Sequence, residues 1–241
     1  MKGRLLSLVG LSLFAWACAA GSGGAVRFET GVRAAATDDG LHRVRAPRTD
    51  ALYVLPGADL GGYSRFTVAP VEIFYREPKA GAVVHELNPG ERERLERAVR
   101  RELEVALAAD SALEFVEAPG PGVLRVRAQF VDLSLGVGRR PEPDRNTVWT
   151  TTEFRLFLDL SDSVTGQSLL RMVDSRRLHP SSLGFPLASG GVAHPSATQV
   201  TAMEEIAAIR QVAGNRARAL RETFGRLRGA GTLPQPGPRA T

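Results

Sequence analysis

The sequence predicts an α+β fold, a mostly antiparallel sheet with two main helices packed on one face. Several short segments alternate apolar with polar residues, and two longer segments repeat apolar residues every three or four positions. The segments follow the order strand, helix, several strands, closing helix. Because a doubly wound parallel sheet needs more helices than this order supplies, we expect both helices on one side of the sheet.

The first predicted strand has a kink at Pro70. Apolar residues alternate with polar ones before and after this proline, but the phase changes there: Phe66, Val68, Val71, Ile73 and Tyr75. Proline cannot donate a hydrogen bond to a neighbouring strand. We therefore expect this strand at an edge of the sheet, with a kink or bulge at the proline.

Further strands are predicted in the second half of the chain. Apolar residues alternate from Leu124 to Phe130, and the phase flips at Val131. The polar stretch 136–146 is predicted to be a loop. A strand, a turn and an antiparallel return strand are predicted at 154–160, 162–166 and 169–173.

Apolar stripes predict the two helices. Asn88 can cap the first helix, and Pro89 and Glu91 suit its first turn. Its stripe comprises Leu95, Val99, Leu103 and Leu107. The second helix is predicted to begin near Thr198, after a long loop at 178–197. Its stripe comprises Ile206, Ile209, Ala213, Ala217, Leu220, Phe224 and Leu227.

The first 17 residues are predicted to be a signal peptide. Lys2 and Arg4 give a positive start, and residues 5–17 form a short apolar run that ends in small residues. This run is too short to cross a bilayer core, which needs about 20 apolar residues. We expect a flexible tether at 18–50, one α+β domain at 51–228 and a disordered tail at 229–241.

The single cysteine, Cys18, follows the apolar run directly. The sequence AWAC resembles the lipobox of bacterial lipoproteins, in which the thiol is diacylated and the leader is cut before the cysteine. We therefore expect membrane lipid as a partner, bound through acylated Cys18. Ala19 after the cysteine resembles lipoproteins that are passed on to the outer membrane. As an alternative, Ala15-x-Ala17 and Ala17-x-Ala19 both fit the small-x-small rule of general signal peptidase, which would release a soluble periplasmic protein.

Four segments of the domain occur in a recognisable order. They are GYSRFTVAPV at 62–71, the helix at 91–109, VEAPGPGVLRVR at 116–127 and DSVTGQ at 162–167. Together they resemble the bacterial lipoprotein family called domain of unknown function 3313, over about residues 52–227. The resemblance implies a place in the cell envelope and a lipid anchor. It implies no catalytic residues.

The sequence contains no recognisable catalytic, cofactor or metal motif. The four histidines show no zinc-ligand spacing, so we expect no metal and no cofactor. Ser64 lacks the second glycine of a nucleophile elbow. The carboxylates of Glu153, Asp159 and Asp162 could form acid–base pairs, but solvent-facing strand positions explain them better. A net charge of +5 is small for a nucleic-acid binder, so we expect no such partner.

The sequence therefore predicts a non-enzymatic binding or assembly module of the bacterial cell envelope. A sheet edge or a basic face is expected to bind another envelope protein. The alternative is a periplasmic hydrolase or metal-dependent enzyme that uses the loop from His179 to His194, because these two histidines flank one irregular segment.

Overall fold

The computed structural model describes residues 26–29, 36–46, 48–77, 86–109, 113–142, 145–178 and 195–236. Within these residues, eight strands form one sheet, accompanied by two helices. The strands are β1 His42–Val44, β2 Ala51–Val54, β3 Arg65–Val68, β4 Glu72–Tyr75, β5 Glu114–Phe115, β6 Val123–Glu142, β7 Arg145–Asp162 and β8 Ser168–Leu178. The helices are α1 Pro89–Ala108 and α2 Pro195–Gly229. The predicted α+β class is confirmed.

The sheet is mostly antiparallel, with parallel pairs on one side. Its order is β1-β2-β8-β7-β6-β3-β5, and β4 also pairs with β6. Strands β3 and β4 both run parallel to β6, and β5 runs parallel to β3. The predicted kink at Pro70 is the break between β3 and β4. Because both strands bind the same neighbour, the chain stays in the sheet on each side of the proline.

Two predicted irregularities of β6 and β7 have different outcomes. The phase flip at Val131 is confirmed as a register shift between Val131 and Ser134, and Asp132 there has a φ of 56°. The predicted loop at 136–146 is wrong, because β6 and β7 continue as a paired hairpin as far as Glu142 and Arg145. The run TVWTTT at 147–152 has strong strand propensity. The polar residues before it show no apolar alternation, so the sequence pattern did not indicate a strand there.

Helix α1 forms as its sequence predicts. The Asn88 side chain accepts a hydrogen bond from the Glu91 amide, and the Glu91 carboxylate accepts one from the Asn88 amide. This capping box satisfies backbone donors that have no partner inside the helix. The predicted apolar stripe is fully buried: Leu95, Val99, Leu103 and Leu107.

Helix α2 packs against α1 and shares its core. Gly214 lies so close to α1 that an added Cβ would be 2.8 Å from an Oε2 of Glu102. The Arg221 guanidinium donates to the Ala106 carbonyl of α1 at 2.9 Å. Neither helix is long and apolar enough to cross a membrane, as far as the described residues show. The predicted α2 stripe is buried except for the half-buried Ile206: Ile209, Ala213, Ala217, Leu220, Phe224 and Leu227.

The folded region extends beyond the predicted limits at both ends. Strand β1 and the fully buried Leu41 lie inside the segment predicted as a tether. Beyond α2, Leu233 is buried and exchanges backbone hydrogen bonds with Gly57 and Ala58. Short apolar segments such as these are held by the sheet edge and the core, and they have too little periodicity to be recognised alone. Residues 1–17 and Cys18 lie outside the described part of the chain.

Candidate functional site: the charged side of the sheet

The central strands separate apolar from charged side chains. In β7, Phe154, Leu156, Leu158 and Leu160 are buried in the common core. The residues between them point to the opposite side, because successive side chains of a strand alternate. Register places Glu153 and Asp159 beside polar or charged partners on β6 and β8, whereas Arg155 and Phe157 each have one polar and one valine neighbour. We call this the charged side of the sheet, and it includes Arg127, Gln129, Glu153, Arg155, Asp159, Arg171, Ser175 and Arg177.

A row of alternating charges crosses the charged side. Arg127, Asp159 and Arg171 are direct neighbours on β6, β7 and β8. Asp159 accepts from Arg127 Nη2 at 2.9 Å and from Arg171 Nε at 2.7 Å. Arg171 Nη2 also lies 2.8 Å from an Asp39 oxygen. Burial acts to raise the pKa of Asp39, but hydrogen bonds from Thr37 and Ser168 and the Arg171 charge lower it overall.

An open groove of about 480 Å³ lies on the charged side near the bulge of β6. Its lining residues are Arg76, Asp132, Glu153, Phe154, Arg155, Ser175, Arg176 and Arg177. The bulge at Asp132 brings this carboxylate to the Arg155 guanidinium, with which it forms an ion pair. We call this site the arginine groove.

Glu153 lies between two guanidiniums of the arginine groove. Arg76 Nη1 donates to Glu153 Oε2 at 2.8 Å, and Arg177 Nε donates to Oε1. The hydrogen bond from Arg76 and the one from Arg177 outweigh partial burial and lower the pKa of Glu153. The Glu153 carboxylate is therefore held in its ionised form.

The opposite side of the same strands carries two buried carboxylates next to α2. Asp174 of β8 lies 2.6 Å from Arg176 Nε and 2.8 Å from Arg216 Nε of α2. Despite these cations, burial raises the pKa of Asp174 to about 6. Glu205 of α2 is hydrogen-bonded to Thr152 of β7, and burial raises its pKa to about 7. These groups join α2 to the sheet.

The structure separates the carboxylates that were considered as pairs in the sequence. Asp159 binds Arg127 and Arg171, whereas Glu153 binds Arg76 and Arg177. Asp162 instead organises the turn after β7 and accepts from Tyr63 Oη at 2.9 Å. The hydrogen bond from the backbone amide of Thr165 is the main reason that the pKa of Asp162 is lowered. Each carboxylate is thus bound to its own donors, and Asp159 is buried, which contradicts the solvent-facing position expected from the sequence.

Other predicted site residues do not meet in the described structure. Ser64 is an exposed residue just before β3. His179 and His194, like Cys18, lie outside the described residues. In the described part of the chain, no three histidine, cysteine or acidic side chains are grouped as metal ligands.

Sequence reasoning missed the buried carboxylates and the arginine groove. Asp174 continues the alternation of Leu170 and Met172, so its position already indicated the buried side. Glu205 precedes Ile209 by four residues and so shares its helix face. The groove had no comparable signal, because its residues come from three separate strands and the segment after β4.

The fold and charged side define an α+β domain with an arginine-rich surface groove. Residues 34–135 match the family model described as protein of unknown function (DUF3313), which confirms the resemblance predicted from the sequence. The match begins before the predicted domain start and ends within β6. No curated protein matches the sequence.

Several solved structures show limited similarity to this chain. Protein XCC0632 from Xanthomonas campestris is 12% identical, with 86% of this chain and 99% of that one covered and a TM-score of 0.40. A lipoprotein from Caulobacter crescentus is 14% identical, with 66% and 90% covered and a TM-score of 0.34. A minor lipoprotein from Acinetobacter baumannii is 11% identical, with 73% and 98% covered and a TM-score of 0.34.

Proposed function

We propose that this chain is a non-enzymatic binding or assembly module of the bacterial cell envelope. Acylated Cys18 holds it to the membrane, with the outer membrane as the favoured site, and the domain faces the periplasm. The charged side of the sheet binds another envelope component. The observation that carries the proposal is the row of paired charges beside the arginine groove.

The placement of the helices supports an open charged side. Thr152 and Asp174, which contact α2, alternate in phase with the buried Phe154, Leu156 and Met172. Helix α1 packs on α2 and contributes its stripe to the same apolar core. Both helices then lie on that face of the sheet. The charged side is left available to a partner, and charges on it that meet opposite charges on that partner favour specific association.

The state of the carboxylates favours binding over acid–base catalysis. A general acid or base works best when its pKa lies near the working pH. On the charged side, neighbouring donors hold the pKa of Glu153 and of Asp39 below the usual range. These groups stay ionised and suit recognition of charged partners. The carboxylates whose pKa values are raised are Asp174 of β8 and Glu205 of α2, and both are buried on the other side of the sheet.

Site-specific photo-crosslinking in the native cell envelope tests the binding role. A photoreactive residue would replace Arg125, which is exposed on the charged side, and in a control Arg101, which is exposed on α1. We expect a discrete cross-linked product from position 125 and none from position 101. Equal products from both positions, or none from either, would contradict a binding role for the charged side.

Acyl labelling tests the membrane attachment separately. We expect the wild-type chain to incorporate labelled palmitate and to begin its mature form at Cys18, whereas Cys18→Ser should incorporate none, because an alcohol does not replace the thiol. A wild-type chain without label and with a mature start at Ala20 would instead support the soluble periplasmic alternative.

A further inference from the structure

The arginine groove presents several guanidiniums around few carboxylates. Arg76, Arg155 and Arg177 have side chains that are 40%, 49% and 67% exposed. Arg176 also lines the groove, but its guanidinium pairs with Asp174 instead. Among the described residues of the groove, these three cations face two carboxylates, Asp132 and Glu153.

The hydrogen bonds of the groove leave donors to spare. A guanidinium has five N–H donors. Glu153 uses one nitrogen each of Arg76 and Arg177, and Asp132 pairs with an Nη of Arg155. The three exposed arginines line one open groove. Guanidiniums bind phosphate oxygens well, because their planar fork can engage two oxygens at once.

The positions of the arginines are fixed by neighbouring strands. Glu153 on β7 is paired in register with Arg177 on β8, and Arg155 is paired in register with Ser175. The backbone amide of Arg76 donates to the Leu133 carbonyl of β6 at 3.0 Å, within the bulge between Val131 and Ser134. A bulge commonly redirects side chains beside a binding site. The backbones of Arg155 and Arg177 are therefore fixed by strand pairing, and that of Arg76 by this hydrogen bond directly after β4.

The geometry of these residues points to an anion site: the arginine groove binds a phosphate group through Arg76, Arg155 and Arg177. This inference rests on the proposed function and names the chemistry that the charged side recognises. The headgroup of an anionic membrane lipid and free phosphate share this chemistry. The volume of about 480 Å³ is ample for a phosphate together with part of the group that carries it.

Titration of the full-length chain in neutral detergent micelles tests the site. The probes are dihexanoyl phosphatidic acid, dihexanoyl phosphatidylcholine and inorganic phosphate. We expect saturable binding of the phosphatidic acid, at least about tenfold tighter than that of the zwitterionic lipid, since only the former has a phosphate free of a neighbouring cation. Competition by inorganic phosphate at equal affinity would identify free phosphate as the source, and a clear preference for the lipid would identify the headgroup.

Matched variants tie the binding to the groove. The double variant Arg155→Gln and Arg177→Gln should lose about tenfold or more in affinity, whereas Arg94→Gln and Arg101→Gln on α1 should leave it unchanged. Asp132→Asn should tighten binding, because it releases the Arg155 guanidinium from its ion pair. The fold should be unaffected, because asparagine tolerates the positive φ at this position. A gain of affinity cannot arise from damage to the fold.

The inference is overturned if neither phosphate probe binds saturably, or if the double variant binds as the wild type does. In either case a cross-link from position 125 would leave the broader binding role standing. Loss of that cross-link together with intact phosphate binding would instead contradict the binding of an envelope protein and leave the anion site in place.

Discussion

Two carboxylates on opposite sides of the sheet have similar partners and opposite pKa shifts. Glu153 on the charged side lies between Arg76 and Arg177, and its pKa is lowered. Asp174 beneath α2 lies between Arg176 and Arg216, and its pKa is raised to about 6. The Glu153 side chain is 22% exposed, whereas that of Asp174 is 2% exposed. Burial, together with the nearby charge of Asp50, outweighs the cations at Asp174, whereas the hydrogen bonds from Arg76 and Arg177 outweigh partial burial at Glu153.

The comparison divides the molecule by role. Between α2 and the sheet, the buried Asp174 of β8 pairs with Arg216 of α2. Removal of one partner of this buried ion pair should therefore lower the stability of the fold. On the charged side, many arginines reach solvent, where an ion pair contributes about 0–1 kcal/mol to stability. Partners of that kind can be exchanged for a ligand without unfolding the domain.

The largest expected effect lies in the apolar layer itself. Leu103→Asp puts an unpaired carboxylate on the buried stripe of α1 and should lower the free energy of unfolding by about 5 kcal/mol, or prevent folding. Arg100→Asp, on the exposed face of the same helix, should cost about 1 kcal/mol or less. Urea unfolding followed by circular dichroism measures both. An equal loss in the two variants would refute the buried position of Leu103.

A smaller effect is expected at the two arginine pairs of the comparison. Arg216→Met removes a cation from the buried Asp174 and should cost about 3 kcal/mol at pH 7. Arg177→Met removes the matching cation from Glu153 and should cost less than about 1 kcal/mol. Urea midpoints of the two variants give the difference directly. Similar midpoints would show that the two sides of the sheet do not differ in this way.

The smallest of these effects depends on pH. The pKa of Glu205 is about 7 in the folded chain, above its ordinary value of 4.5, mainly because of burial. The unfolded chain therefore loses this proton first, and stability falls as the pH rises from about 4.5 to about 7. Glu205→Gln should stabilise the domain by at most about 3 kcal/mol at pH 8 and leave it unchanged at pH 4.

The adjacent Glu204 provides a control for the pH effect. It is less buried, and Glu204→Gln should change the pH dependence of the urea midpoint only slightly. Asp174 also titrates in part of this range, but it does so in both variants and in the wild type. A Glu205→Gln variant that keeps the wild-type pH profile would show that Glu205 is not buried as described.

Most elements could be predicted because their signals are local. The capping box at Asn88 and the α1 stripe with Leu103 depend only on residues a few positions apart. The phase flip at Val131 identified the bulge for the same reason. The continuation of β6 and β7 through 136–146 was missed, because the pairing of two strands with each other, and not apolar alternation, makes that hairpin.

The sequence by itself determined the α+β class, the helix start at Asn88 and the apolar stripe of α1. These follow from backbone periodicity and from hydrogen bonds between near neighbours in the chain. Only the tertiary structure decided that β3 and β4 run parallel to β6, and that Arg216 meets Asp174. It alone assembled Arg76, Asp132 and Arg177 into one groove. These contacts join residues that are far apart in sequence, and strand order and register determine them. The spacing of residues along the chain therefore does not predict them.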